Sequence, residues 1–92
     1  MTPQKIKEVC TLYRKRFEAE NIPKRRLAVD RYPETAAEML AHAHYLLDGV
    51  EVLADDPEKV GKTGRHLGSI QMLLWASKWY TLEELMNHNC PA

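Results

Sequence analysis

Helix-spaced glycines beside basic side chains are the first place in this sequence to look for chemistry. Gly61, Gly64 and Gly68 fall at i, i+3 and i+7, with Lys62, Arg65 and Ser69 beside them and Trp75 and Trp79 continuing the same face. Each glycine costs a helix interior about 1 kcal/mol relative to alanine, so a partner close to that backbone is expected. The partner is either a neighbouring helix, from the first helix or from another subunit, or a ligand. A nucleotide-type ligand would meet Lys62 and Arg65 through its phosphates and stack a base on Trp75, Trp79 or Tyr80. Gly61-Lys62-Thr63 is not a phosphate-binding P-loop, because Asp56 stands where that motif needs a glycine and no strand precedes it.

A second candidate is the arm Lys24-Arg25-Arg26…Arg31 with the adjacent Tyr32. Basic residues next to an aromatic suit phosphates and bases, and equally a solvated linker or an inter-subunit clasp. Asp48, Glu51, Asp55 and Glu58 form a helical acidic stripe of the kind that holds Mg²⁺ in all-α nucleotide hydrolases. Such enzymes need a second facing cluster. Here Glu34/Glu38 and Glu83/Glu84 belong to helix starts, so the stripe reads as a solvated face. His42, His44, His66 and His88 lack zinc spacing, and Glu38/His42 and His44/Asp48 read as surface ion pairs. No nucleophile triad is formed. The expectation is no metal, no cofactor and no catalytic residue.

These side chains must be positioned by helices. Thr2-Pro3 starts the first, at residues 3–20, with Ile6, Val9, Cys10, Tyr13 and Phe17 as its apolar stripe and Asn21-Ile22-Pro23 as its stop. Residues 22–34 hold two prolines and no helical period, which predicts an extended basic arm pinned by Leu27 and Val29. Thr35-x-x-Glu38 caps a second helix over residues 36–54, with Ala36, Leu40, Ala43, Leu47, Val50 and Ala54 on its buried face. Asp56-Pro57-Glu58 restarts the chain into a third helix over residues 57–79, striped with Val60, Thr63, Leu67, Ile70, Leu74 and Ser77. The short turn makes helices two and three antiparallel, with Leu47 near Leu67, Ala43 near Ile70 and Leu40 near Leu74. Thr81-x-x-Glu84 opens a last helix over residues 82–88, contacting the body through Leu85 and Met86, before a frayed tail Asn89-Cys90-Pro91-Ala92. The fold class is therefore all-α: one helical domain over residues 1–92, a small bundle built on a two-helix hairpin.

Composition bounds the rest. Of 92 residues, 45% are hydrophobic, and a chain so short buries only about 60–65% of its unfolded surface, so a homo-oligomer is expected to supply more. Lys+Arg and Asp+Glu balance at 13 each, yet residues 1–31 carry +5 and residues 32–92 carry −5. That asymmetry fits phosphate, or the acidic half of a neighbouring subunit. Zero net charge argues against general nucleic-acid binding. Cys10 and Cys90 are too few for a disulfide framework and fit a reducing cytoplasm. The longest apolar run, Met72 to Ala76, is too short for a membrane span, no signal peptide is expected, and Cys90 does not sit in a prenylation box.

The pattern Gly61-Lys62-x-x-Arg65-x-Leu67-Gly68-x-x-Gln71-x-x-Leu74-Trp75, followed by Tyr80-Thr81-Leu82-Glu83-Glu84-Leu85 and Asn87-His88-Asn89, resembles small uncharacterised accessory proteins of tailed bacteriophages. It covers the last third of the chain and departs from the usual pattern at Ser69, Met72 and Lys78. The resemblance implies a role in host takeover or host-defence inhibition, exerted stoichiometrically in the host cytoplasm. The expectation is a binding protein that sequesters a nucleotide-type signal between subunits, using Lys62, Arg65, Ser69, Trp75, Trp79, Tyr80, Arg25 and Arg26. The alternatives are a protein–protein module that inhibits a host enzyme through the basic first helix, and a Mg²⁺-dependent nucleotide hydrolase.

Overall fold

The computed structural model describes residues 1–90. Four helices follow in order: α1 (Pro3–Ala19), α2 (Ala36–Leu53), α3 (Val60–Ala76) and α4 (Leu82–Asn89), with a 3₁₀ turn at Pro57–Lys59 ahead of α3. No strand occurs among the described residues. The architecture is an all-α bundle, and its helix starts are those that side-chain chemistry dictates. Thr2, Thr35 and Thr81 each accept a backbone N–H three residues on, and at Thr81 the Glu84 carboxylate returns the bond to complete a capping box.

The helix ends explain a boundary that the sequence misplaces. After α1, Asn21 takes φ 56°, and the Ile22 N–H donates to the Phe17 carbonyl at 2.9 Å. After α3, Lys78 takes φ 64°, and the Trp79 N–H donates to the Leu74 carbonyl at 2.9 Å. These are two copies of one left-handed termination, each folding an apolar residue back onto the helix it ends. Asn signals such a turn and Lys does not. The third helix therefore stops at Ala76 rather than running to residue 79, and Trp79 leaves the glycine face.

One core cluster joins α1, α2, α3 and α4. Cys10, Tyr13, Phe17, Ala43, Leu47, Ile70 and Leu74 are completely buried in it. The hairpin stripes of α2 and α3 meet there as their spacing requires, and Leu85 anchors α4. The tail expectation fails at Asn89. Its amide exchanges hydrogen bonds with Gln71, Nε2 to Asn89 Oδ1 at 2.7 Å and Asn89 Nδ2 to Oε1 at 3.1 Å. Gln71 Nε2 also donates to the Tyr13 hydroxyl at 3.0 Å, which lies 2.9 Å from His88 Nδ1. A buried polar relay thus ties α4 to α1 and α3. Pro91 and Ala92 lie outside the described residues.

Candidate ligand site

The charge asymmetry of the chain is largely consumed inside it. Arg14 of α1 bonds Glu51 Oε1 through Nε at 3.0 Å and Nη2 at 2.8 Å, and Asp48 through Nη2 at 2.7 Å. Lys24 reaches Asp48 at 3.1 Å, and Lys7 pairs with Asp55. Burial works against ionisation of Asp48, but its hydrogen bonds from Arg14 and Lys24 prevail and hold the carboxyl below its ordinary value. Three carboxylates of the acidic stripe, Asp48, Glu51 and Asp55, thus pair with cations of α1 and the arm while staying partly exposed, and Glu58 is exposed with no ion pair among the described residues. No group of three or more metal-ligating side chains occurs among the described residues.

The same helix engages two of the expected base-stacking rings, although Trp75, Trp79 and Tyr80 still line one hollow of about 440 Å³ together. The Arg16 guanidinium lies 4.3 Å from the Trp79 ring centroid and 4.9 Å from that of Tyr80, and it donates to the Trp79 carbonyl at 3.1 Å. Trp79 packs on Phe17 at 5.2 Å, and Tyr80 on Tyr13 at 5.7 Å and on His88 at 4.7 Å. Trp75 alone of the three stands out, 48% exposed. Arg14 and Arg16, expected to present a surface to a host enzyme, are thus both engaged within the chain.

The glycine face is also not what helix crossing would make it. A Cβ placed on Gly64 or Gly68 meets nothing within 4 Å, and one on Gly61 meets only Arg65 Nη1 at 3.4 Å. No helix among the described residues covers it at Gly64 or Gly68. Lys62, Arg65 and Ser69 are exposed there, the Ser69 hydroxyl donating to the Arg65 carbonyl at 3.0 Å. Lys62 stands thirteen residues from Trp75, about 20 Å along α3. The expected site residues therefore divide into separate patches.

Arg25 and Arg26 belong to a different face, and here the structure assembles more than the sequence indicated. The arm lies along α2, held by main-chain bonds: the Arg25 N–H donates to the Ala41 carbonyl at 3.1 Å and the Leu27 N–H to His42 Nδ1 at 3.0 Å. His42 must be neutral to accept that bond. Burial, and then the charge of Arg26, push its pKa below the ordinary 6.5. Leu27 is partly buried, but Val29 is 86% exposed and pins nothing. His42 is thus a fastener for the arm and not a partner of Glu38. His44 is no surface ion-pair partner of Asp48 either: it is buried, stacked on Phe17 at 4.5 Å, with Nδ1 2.8 Å from the Ile22 carbonyl.

Two adjoining hollows open between the arm and α2. The smaller, about 190 Å³, is lined by Arg25, Arg26, Leu27, Ala28, Arg31, Glu38 and Ala41. The larger, about 510 Å³, is lined by Arg26, Leu27, Ala28, Val29, Arg31, His42, Tyr45 and Leu46. His42 and Tyr45 stack at 6.0 Å. Arg31 has only a loose 3.8 Å pairing with exposed Glu34, and Arg25 and Arg26 have no ion pair among the described residues. Three cations and a stacked ring pair border a cleft of ligand size. The sequence carried a faint sign of this, since Tyr45 follows His42 at i+3 beside the buried stripe.

Nucleophilic chemistry finds little support elsewhere. Burial and the nearby Glu51 carboxylate push the Cys10 thiol up to about 12, so it stays protonated. No helix among the described residues is long and apolar enough to cross a membrane. No family model, no curated protein and no solved structure matches the chain.

Proposed function

We propose that this protein is a binding protein that captures a phosphate-bearing, nucleotide-type ligand in the cleft between its basic arm and α2. One observation carries the reading. Arg25, Arg26 and Arg31 converge on hollows bordered by the stacked His42 and Tyr45, while Lys7, Arg14, Arg16 and Lys24 are each tied to a carboxylate. Guanidinium forks suit phosphate oxygens, and aromatic rings suit a base. The resemblance to tailed-phage accessory proteins supports a setting in which such capture neutralises a host-defence signal by stoichiometric sequestration.

A thermal-shift panel of cyclic nucleotides, ADP-ribose derivatives and inorganic phosphate tests the reading, because a ligand that binds the native state raises its melting temperature. A shift is expected with at least one nucleotide. It is expected to vanish in Arg25→Ala/Arg26→Ala and to survive in Lys62→Ala/Arg65→Ala. No shift across the panel, or a shift lost only with Lys62 and Arg65, overturns the assignment.

A further inference from the structure

We infer that the outer face of α3 is a two-fold interface on which a second copy of this chain packs antiparallel, each copy seating Trp75 in the glycine recess of the other. This inference does not depend on the arm cleft. The face is one continuous strip with two unlike ends. At its N-terminal end the backbone is bare at Gly64 and Gly68, and a hollow of about 330 Å³ opens there, lined among others by Ile6, Val60, Leu67 and Gln71. At its C-terminal end side chains stand proud: Met72 is 47% exposed, Trp75 48%, and Leu82 of α4, which shares a hollow with Trp75, 49%.

A recess and a projection on one helix face, displaced along its axis, form the arrangement that an isologous contact requires. In such a contact residue i of one copy meets residue j of the other, and j meets i. Antiparallel packing brings each raised end onto each recessed end. The missing Cβ atoms at Gly64 and Gly68 then admit an indole. Charge agrees with the orientation. The recessed end carries Lys59, Lys62 and Arg65, none ion-paired among the described residues, against the single Glu58, and the raised end carries Glu83 and Glu84 against the single Lys78. Val60, Met72, Trp75 and Leu82 are each about half exposed or more, a set of unpartnered apolar side chains of the kind that marks an interface.

Sedimentation velocity over a concentration series reads the state directly. The chain is expected to dimerise. Trp75→Ala and Gly68→Leu are each expected to raise the dimer dissociation constant by about tenfold or more, as the loss or obstruction of a central aromatic anchor does. A Cβ at Gly68 meets no atom within 4 Å and Trp75 is 48% exposed, so circular dichroism melting of the dilute variants should show Gly68→Leu at or above the parent and Trp75→Ala close to it, which separates lost association from lost folding. Lys62→Glu should weaken the dimer, and Lys62→Glu with Glu83→Lys should restore it. A chain that stays monomeric throughout the series overturns the inference, and so does a dimer that survives both Trp75→Ala and Gly68→Leu.

Discussion

The two long central helices carry outer sides of opposite character. Along α2 the arm is laid down and fastened by the Arg25–Ala41 and Leu27–His42 bonds, and the acidic stripe beside it is bound by Arg14, Lys24 and Lys7. Along α3 no described residue comes within 4 Å of a Cβ at Gly64 or Gly68, and Trp75 is 48% exposed. Many polar groups on the α2 side find partners within the chain, whereas Arg25 and Arg26 have no ion pair among the described residues, and the proposed ligand cleft rests on that contrast. On the α3 side Val60, Met72 and Trp75 are left about half exposed or more, and that is the surface the inferred dimer would remove from water.

The largest test of this contrast falls on the arm. Each arginine–phosphate contact is a charge-assisted bond, so Arg25→Ala/Arg26→Ala should weaken binding of the responding nucleotide about a hundredfold, measured by calorimetry. The corresponding loss for Lys62→Ala/Arg65→Ala should be under about threefold.

Next comes the fastener. His42→Leu removes the acceptor of the Leu27 N–H and should cost about 1 kcal/mol in urea denaturation, whereas His42→Asn keeps an acceptor near the Nδ1 position and should cost less. Titration sharpens the point. The His42 and His88 pKa values both lie below 6.5 in the folded chain, through burial first; at His42 Arg26 adds to it, while at His88 Glu84 opposes and Lys5 assists. The unfolded chain then takes up protons more readily. Their contribution to stability is therefore complete above pH 6.5 and declines as pH falls through the folded-state values. Melting temperature should drop between neutral and mildly acidic pH, with a shallower slope in His42→Asn.

Smaller effects are expected on the α3 side, with the opposite sign. In dilute protein, Gly64→Ala and Gly68→Ala should each stabilise the fold by about 0.5–1 kcal/mol, since the added methyl meets no atom and helix propensity improves. A loss of stability under those conditions would mean that the face is covered within the chain after all. At the end of the same helix, Lys78→Gly should raise stability by up to ~1 kcal/mol, because glycine takes the left-handed conformation without a Cβ clash. Chemical denaturation resolves both changes.

Much of the fold was legible because its signals are local. Thr2, Thr35 and Thr81 cap within three residues, and the apolar stripes repeat within one or two turns. The sequence therefore determined the helices, three of their starts and the hairpin of α2 and α3. Asn21 announced its left-handed turn by its chemistry, and Lys78 did not, which hid the end of α3.

The candidate sites were less legible because they depend on partners far apart in sequence. Arg14 meets residues 34 and 37 positions away, Arg16 caps Trp79 at a separation of 63, and Tyr13 meets His88 at 75. Each such pairing withdraws a side chain that looked available, and no local period records it. The sequence by itself settled which residues are charged, aromatic or glycine, and on which helical face. Only the tertiary structure decided which charges were neutralised, which rings were covered and which glycines were left bare, because burial and pairing are properties of surfaces brought together by folding.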